Sequence, residues 1–320
     1  MLDIEKRAMA LGFNAAIPIC IEPFEEWRTF RDARIAQGGT AGQGLFHDPL
    51  SALPSAQTLW VLATGYAPHS PLPAGHMEVD GVYPARQAGY LRTKALAQAL
   101  MQTGSLAITD PPLPAKSAAL RAGLGIFGRN GLLLSHRWGS WVALNLLLTD
   151  QPHPGALNIR PDTPYCQNCG ACESACPVRA LANGVVNDKL CLRNHMLTGN
   201  APALPLRPLL GARLVGCNIC QAACPWNAHV SLVPPSQELV SATSIAGFLE
   251  PESNAFAAQQ QALATIIGAN YARRNKLLAA ALTATGTAPR AEYTPALTKL
   301  LTHPEEWVRL LAQWALEQTK

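Results

Sequence analysis

Apolar and polar residues alternate along this chain in patterns that predict both strands and helices. Continuous apolar runs at Thr58–Thr64 (TLWVLAT) and Trp141–Leu148 read as buried strands. Both are far shorter than the roughly 20 residues that cross a bilayer. Leu132–Ser135 reads as a further strand, joined to Trp141–Leu148 through a turn at Trp138-Gly139-Ser140. Helical spacing predicts helices over Ile4–Leu11, Gln87–Thr103, Arg273–Ala281 and Thr294–Leu301. Near the C-terminus, Trp307, Leu310, Leu311, Trp314 and Ala315 recur at helical spacing. They follow Thr302-His303-Pro304-Glu305-Glu306, whose early proline and acids suit a helix start. Gly and Pro punctuate the connections at Ala67–Gly75 and Pro111–Pro114.

These patterns predict three regions: an α/β domain over residues 1–155, a loop-rich segment over 156–235 and helices over 236–320. The paired short helices at the end fit either an α-solenoid fragment or a plain helical cap on the core. At 320 residues the chain can form two or three packed units. With 48% hydrophobic and 14% charged residues it is not a disordered polymer. A net charge of +4 neither demands nor excludes an anionic partner. Met1–Arg7 lacks the basic-then-apolar pattern of a secretory signal, so a cytoplasmic protein without membrane contact is expected.

The cysteines add chemistry to this outline. Cys20 stands alone and reads as a small buried hydrophobe, whereas the other eight lie between Cys166 and Cys224. Disulfides are rare in the cytosol, so such density points to metal. Cys166-x2-Cys169-x2-Cys172-x3-Cys176-Pro177 is the bacterial ferredoxin run, in which the fourth cysteine ligates the other of two clusters. Cys217-x2-Cys220-x3-Cys224-Pro225 is a second, shorter run, and Cys191 supplies the thiolate it lacks. The ligands then divide evenly. One [4Fe-4S] cluster takes Cys166, Cys169, Cys172 and Cys224, and the other takes Cys176, Cys191, Cys217 and Cys220. Two structural zinc sites are the alternative, but zinc has no need of a cysteine-proline run repeated in this way. A two-cluster electron carrier needs few residues beyond its cysteines, so the long flanking segments imply a bound or transformed molecule.

Ala122-Gly-Leu-Gly-Ile-Phe-Gly-Arg-Asn-Gly-Leu-Leu-Leu134 with Gly139-Ser140-Trp141 resembles the epoxyqueuosine reductase family, cobalamin-dependent iron–sulfur enzymes related to reductive dehalogenases. Cys224-Pro-Trp-Asn227, Asp48-Pro49, Leu53-Pro54, Ala272-Arg-Arg-Asn275 and Val308-Arg309 with Trp314-Ala-Leu316 extend the resemblance over nearly the whole chain. The resemblance implies an N-terminal α/β cobalamin domain, a ferredoxin-like double-cluster domain and a HEAT-like helical tail. It also implies electrons from a flavodoxin or ferredoxin system, cobalamin beside one cluster, and epoxyqueuosine in the anticodon of a tRNA as substrate. Gly123, Leu124, Gly125, Gly128, Asn130, Gly139 and Ser140 are the expected cobalamin contacts. The glycines would allow close approach of the corrin, and Asn130 and Ser140 would bond its amide rim. Asp110 is the expected proton donor and Tyr90 its neighbour at the active site. The family pattern is altered nearby. Gly89-Tyr90-Leu91 stands where the family has Asp-Tyr-His, Asn145-Leu146 stands where it has Gly-Glu, Ala115 stands where it has Glu, and Thr109 stands where it has Asp, with Asp110 one residue out of register. A reductase with the same cofactors and another substrate is therefore the second reading, and a non-catalytic electron carrier the third.

Overall fold

The computed structural model describes residues 3–36, 38–40, 44–159, 166–167 and 169–319. Its contacts divide the chain into two units. The first comprises Met1–Ala67, Ala85–Lys189 and Ile219–Ser231, and the second comprises Pro68–Pro84, Leu190–Asn218 and Leu232–Lys320.

The first unit is built on a four-stranded antiparallel sheet in the order Ala15–Cys20, Thr58–Gly65, Val142–Thr149, Ala107–Thr109. Thr58–Gly65 and Val142–Thr149 occupy its centre, with Leu62 opposite Asn145 and Leu59 opposite Leu148. Their sequences are continuously apolar because both faces of the sheet are covered. Alternation along the strand then sorts the side chains. Leu59, Val61 and Ala63 join Val142, Leu144, Leu146 and Leu148 in one core. Trp60 and Leu62 join Leu147 in the other, against Ile4 and Ala8 of the helix Ile4–Ala10 and Leu96 and Leu100 of the helix Val82–Met101. Truncating a fully buried leucine such as Leu62 to alanine costs about 2–5 kcal/mol. The strand Ala15–Cys20 carries Pro18 and lies at the sheet edge, where a missing N–H is tolerated.

The pairing of Leu133–Leu134 departs from expectation. This strand pairs with Ile126–Phe127 rather than with the strand that follows it. The approach is so close that a Cβ on Gly125 would stand 2.1 Å from the Leu134 carbonyl oxygen. Gly125 therefore serves the hairpin itself.

The second unit packs helices against a short parallel strand pair. Glu78–Val79 runs beside Arg213–Val215. Met77, Val79, Tyr83, Leu214 and Val215 are buried in one core with Leu277, Leu282, Val308 and Leu311. Those last four come from the helices Arg274–Thr287 and Glu306–Glu317. Trp314 lies across the helix Arg274–Thr287 at Gly286, where a Cβ would stand 2.2 Å from the indole ring. The three consecutive regions read from the sequence are thus not the compact units. Residues 68–84 and 190–218 go with the helical tail because they bury their apolar side chains in its core. Among the described residues, no helix is long and apolar enough to cross a membrane.

Candidate functional site

The hairpin that holds Leu133–Leu134 also grips the first cysteine. The Cys166 N–H donates to the Phe127 carbonyl at 2.8 Å, and the Cys166 Sγ accepts from the Arg129 N–H at 3.2 Å. Cys169, Cys172 and Cys224 join Cys166 around a cavity of about 620 Å³, walled further by Ile126, Gly128, Arg129, Asn130, Leu134 and Trp226. The four cysteines that spacing grouped together therefore line one cavity, Cys224 coming from the far end of the motif. Among the described residues, no three His, Cys, Asp or Glu side chains converge as one metal ion requires. Soft thiol donors spread around a cavity suit a multi-iron cluster instead. Burial first, then the charge of Glu173, push the Cys172 thiol above its ordinary value. Burial does the same for Cys224. Iron would reverse that cost by binding the deprotonated sulfur.

Behind the cavity the wall is locked by polar bonds. The Asn227 Oδ1 accepts from the Ser140 N–H at 2.7 Å, and its Nδ2 donates to the Ser140 Oγ at 2.9 Å. The Gln221 Nε2 donates to the Ser140 carbonyl at 2.9 Å. Gly139 has φ of 57°, and a Cβ there would lie 2.1 Å from the Asn227 Oδ1. The Asn130 Nδ2 donates to the Cys220 carbonyl at 3.4 Å, and its Oδ1 accepts from the Leu132 N–H at 3.2 Å.

These bonds occupy several of the residues expected to contact cobalamin. Asn130 and Ser140 are buried, and their polar atoms bond to protein. The Cβ space of Gly123 is filled by Ile159, that of Gly125 by Leu134, that of Gly128 by Asn130 and that of Gly139 by Asn227. Leu124 packs against the core of the sheet. This set does not fit as a corrin cradle. Gly128 and Asn130 line the cysteine cavity instead.

Asp110 lies at the end of the strand Ala107–Thr109, in the left-handed region with φ of 44°. Its N–H donates to the Leu146 carbonyl at 2.8 Å, and its Oδ1 accepts from the Leu146 N–H at 2.7 Å. Its Oδ2 accepts from the Asn145 Nδ2 at 2.8 Å. Burial pushes this carboxyl above the usual carboxylate range, against the pull of the Leu146 N–H, Arg86 and Asn145. Asn145 is fully buried, and its Oδ1 has no hydrogen-bond partner. That oxygen lies 2.0 Å from the position a Cβ would take on Gly89. Two of the departures from the family pattern are thus one physical exchange: Gly89 vacates the space that Asn145 fills. Tyr90, beside it in sequence, is 39% exposed, and Leu91 is 50% exposed.

The second unit holds Cys191 and Cys217 by a separate device, which sequence reading missed. Gly216 has φ of 91°, and a Cβ there would stand 2.3 Å from the Asp80 Cβ and 2.9 Å from the Tyr83 ring. The Arg193 Nε donates to the Tyr83 Oη at 2.9 Å, just after Cys191. The segment 80–83 thereby anchors the chain beside both cysteines. Burial pushes the Tyr83 hydroxyl up to about 12 and raises the Asp80 carboxyl. Cys176 and Cys220 belong to the first unit, where the Ala180 N–H donates to the Cys176 Sγ at 3.2 Å.

Residues 165–227 match the family model of a 4Fe-4S double cluster binding domain. An epoxyqueuosine reductase of Vibrio cholerae serotype O1 is 31% identical over 222 residues, 66% of this chain and 57% of that protein. One of Aliivibrio fischeri is 37% identical over 131 residues, 39% of this chain and 33% of that protein. The matched stretches thus span between a third and three-fifths of these curated relatives. The structure of epoxyqueuosine reductase from Streptococcus thermophilus superposes with a TM-score of 0.81 at 20% identity, covering 99% of this chain and 89% of that one. A crystal structure of epoxyqueuosine reductase with an epoxyqueuosine-modified tRNA stem loop superposes with a TM-score of 0.80, also at 20% identity and over the same shares. The chain is therefore similar in sequence to the epoxyqueuosine reductases, and it has their fold.

Proposed function

We propose that this chain is a two-cluster iron–sulfur reductase that removes the epoxide oxygen of epoxyqueuosine in tRNA. The observation that carries the reading is the convergence of Cys166, Cys169, Cys172 and Cys224 on one cavity, within a fold shared end to end with known epoxyqueuosine reductases. Cys176, Cys191, Cys217 and Cys220 are taken as ligands of the second cluster. The clusters supply one-electron transfer when bound. Converting an epoxide to an alkene and water consumes two electrons and two protons, so electrons must come from an external one-electron donor such as a reduced flavodoxin or ferredoxin. Asp110 is taken as the group that holds a proton. In the geometry seen, both its oxygens accept N–H bonds, so protonation costs one of them. Turning the Asn145 amide by 180° would present its oxygen to that proton, so one side chain serves either state. Tyr90 is taken to border the substrate. The helical tail, read as HEAT-like, and its Arg273, Arg274 and Lys276 are taken as the tRNA-binding surface. No step is assigned to cobalamin.

A second reading rests on the Gly89–Asn145 exchange beside Asp110. A carboxyl expected at position 89 is replaced by an amide from the facing strand, which fits a reductase with a different substrate. One experiment separates the two. The protein is purified without oxygen, its clusters reconstituted, and incubated with epoxyqueuosine-containing tRNA and reduced methyl viologen, with and without cobalamin. Nucleosides are then analysed by mass spectrometry. Queuosine supports the first reading, and its appearance with or without added cobalamin decides whether the corrin is needed. Intact clusters with no conversion in either arm overturn the first reading and leave the second.

A further inference from the structure

We propose that Arg129 and Glu173 are a charge-compensating pair that sets the reduction potential of the cluster held by Cys166, Cys169, Cys172 and Cys224. The inference rests on the reading of those cysteines as cluster ligands and goes beyond it by assigning two residues that are not ligands.

Arg129 meets the site twice. Its backbone N–H bonds the Cys166 sulfur at 3.2 Å, and the residue itself lines the cavity. Its guanidinium then turns to Glu173, with the Nε at 3.0 Å and the Nη2 at 2.9 Å from the same Oε1. Glu173 follows Cys172, the most buried of the four thiols, in the short helix Ala171–Ala175. The Glu173 Oε1 also accepts from the Gly184 N–H at 3.0 Å, in the turn between Leu181–Ala182 and Val185–Val186. One carboxylate oxygen is thus held by three donors. The two side chains are only 23% and 21% exposed, so water screens them incompletely.

The sign of each effect follows from charge. Reduction adds one electron to the cluster. A nearby cation stabilises the reduced form and raises the potential, while a nearby carboxylate lowers it. In the native pair the two fields largely cancel. Removing one partner exposes the other.

The test is a redox titration of the reconstituted protein with dithionite and mediators, followed by electron paramagnetic resonance, with the signal of the other cluster as internal reference. Arg129→Gln is expected to lower the potential of this cluster and Glu173→Gln to raise it. Each shift should be at least tenfold in the reduction equilibrium, which is 59 mV for one electron. The double variant should return close to the native value, and Arg129→Lys, which keeps the charge, should stay near it. The backbone bond to Cys166 survives in every variant, so it cannot produce opposite signs. Shifts of the same sign in both single variants, no shift in either, or Arg129→Lys behaving like Arg129→Gln would overturn the pairing. Native protein that takes up no iron would instead overturn the reading of the cysteines, and iron analysis of each sample distinguishes the two failures.

Discussion

The cysteine cavity and the Asp110 corner lie in the same unit, yet they treat polar groups in opposite ways. Around the cavity, Asn130, Ser140, Gln221 and Asn227 bond to one another or to the backbone, leaving sulfur to face the open space. At the corner, an aspartate is half-buried, raised in pKa and held by an amide whose own oxygen lacks a partner. The first arrangement is a wall whose own polar groups are already paired. The second retains unmet bonding capacity, as expected where a proton or a substrate is handled.

Four perturbations can break or sharpen this contrast. The largest effect is expected from Cys224→Ser, which removes a ligand from the cavity. Iron per chain after reconstitution should fall by half if the clusters are independent, and an unchanged iron count would show that Cys224 is not a ligand. Asp110→Asn should reduce the rate of epoxide removal by about 10²- to 10⁴-fold, the usual worth of a general acid. In the native protein the rate should fall as pH rises through a value above the ordinary carboxylate range, because burial raises that carboxyl and the protonated form is the donor. A flat profile would remove Asp110 from the chemistry.

Gly139→Ala should destabilise the wall by about 2–4 kcal/mol, combining a left-handed backbone with a Cβ 2.1 Å from the Asn227 Oδ1. Thermal melting with and without bound iron would show it. Gly89→Ala should cost about 1–3 kcal/mol through its clash with Asn145. Asn145→Gly loses its bond to Asp110 as well, so the test is a cycle: the double variant should cost less than the sum of the two single variants. Strict additivity would show that the two positions do not share the space.

The double-cluster region was legible because iron–sulfur chemistry fixes cysteine spacing tightly, and the four cysteines that spacing grouped together line one cavity. The central strands were legible from their continuous apolar runs. The strand Ala15–Cys20 was not, because its proline and its place at the sheet edge mask the pattern. The helix Glu25–Ala36 has no buried residue among those described, which explains why no apolar stripe announced it. The glycine motif was visible as a motif, but not the close packing within the chain that it serves. What fills the missing Cβ of Gly125 or Gly139 comes from Leu134 or Asn227, and local sequence cannot show a neighbour brought in by folding. The same holds for Asp80, Tyr83 and Arg193, whose support of the chain beside Cys191 and Cys217 depends on segments far apart in sequence.

The bond between Ser140 and Asn227 joins residues 87 positions apart. During synthesis the turn at Gly139–Ser140 leaves the ribosome well before its partner exists. At roughly 5–20 residues per second the wait is about 4–17 s. Within that interval Cys166, Cys169 and Cys172 are made, while Cys224 and the asparagine that closes the wall behind it come only at its end. On the proposed ligand set, metal delivered before Cys224-Pro-Trp-Asn227 is made would meet three of the four thiols around the cavity.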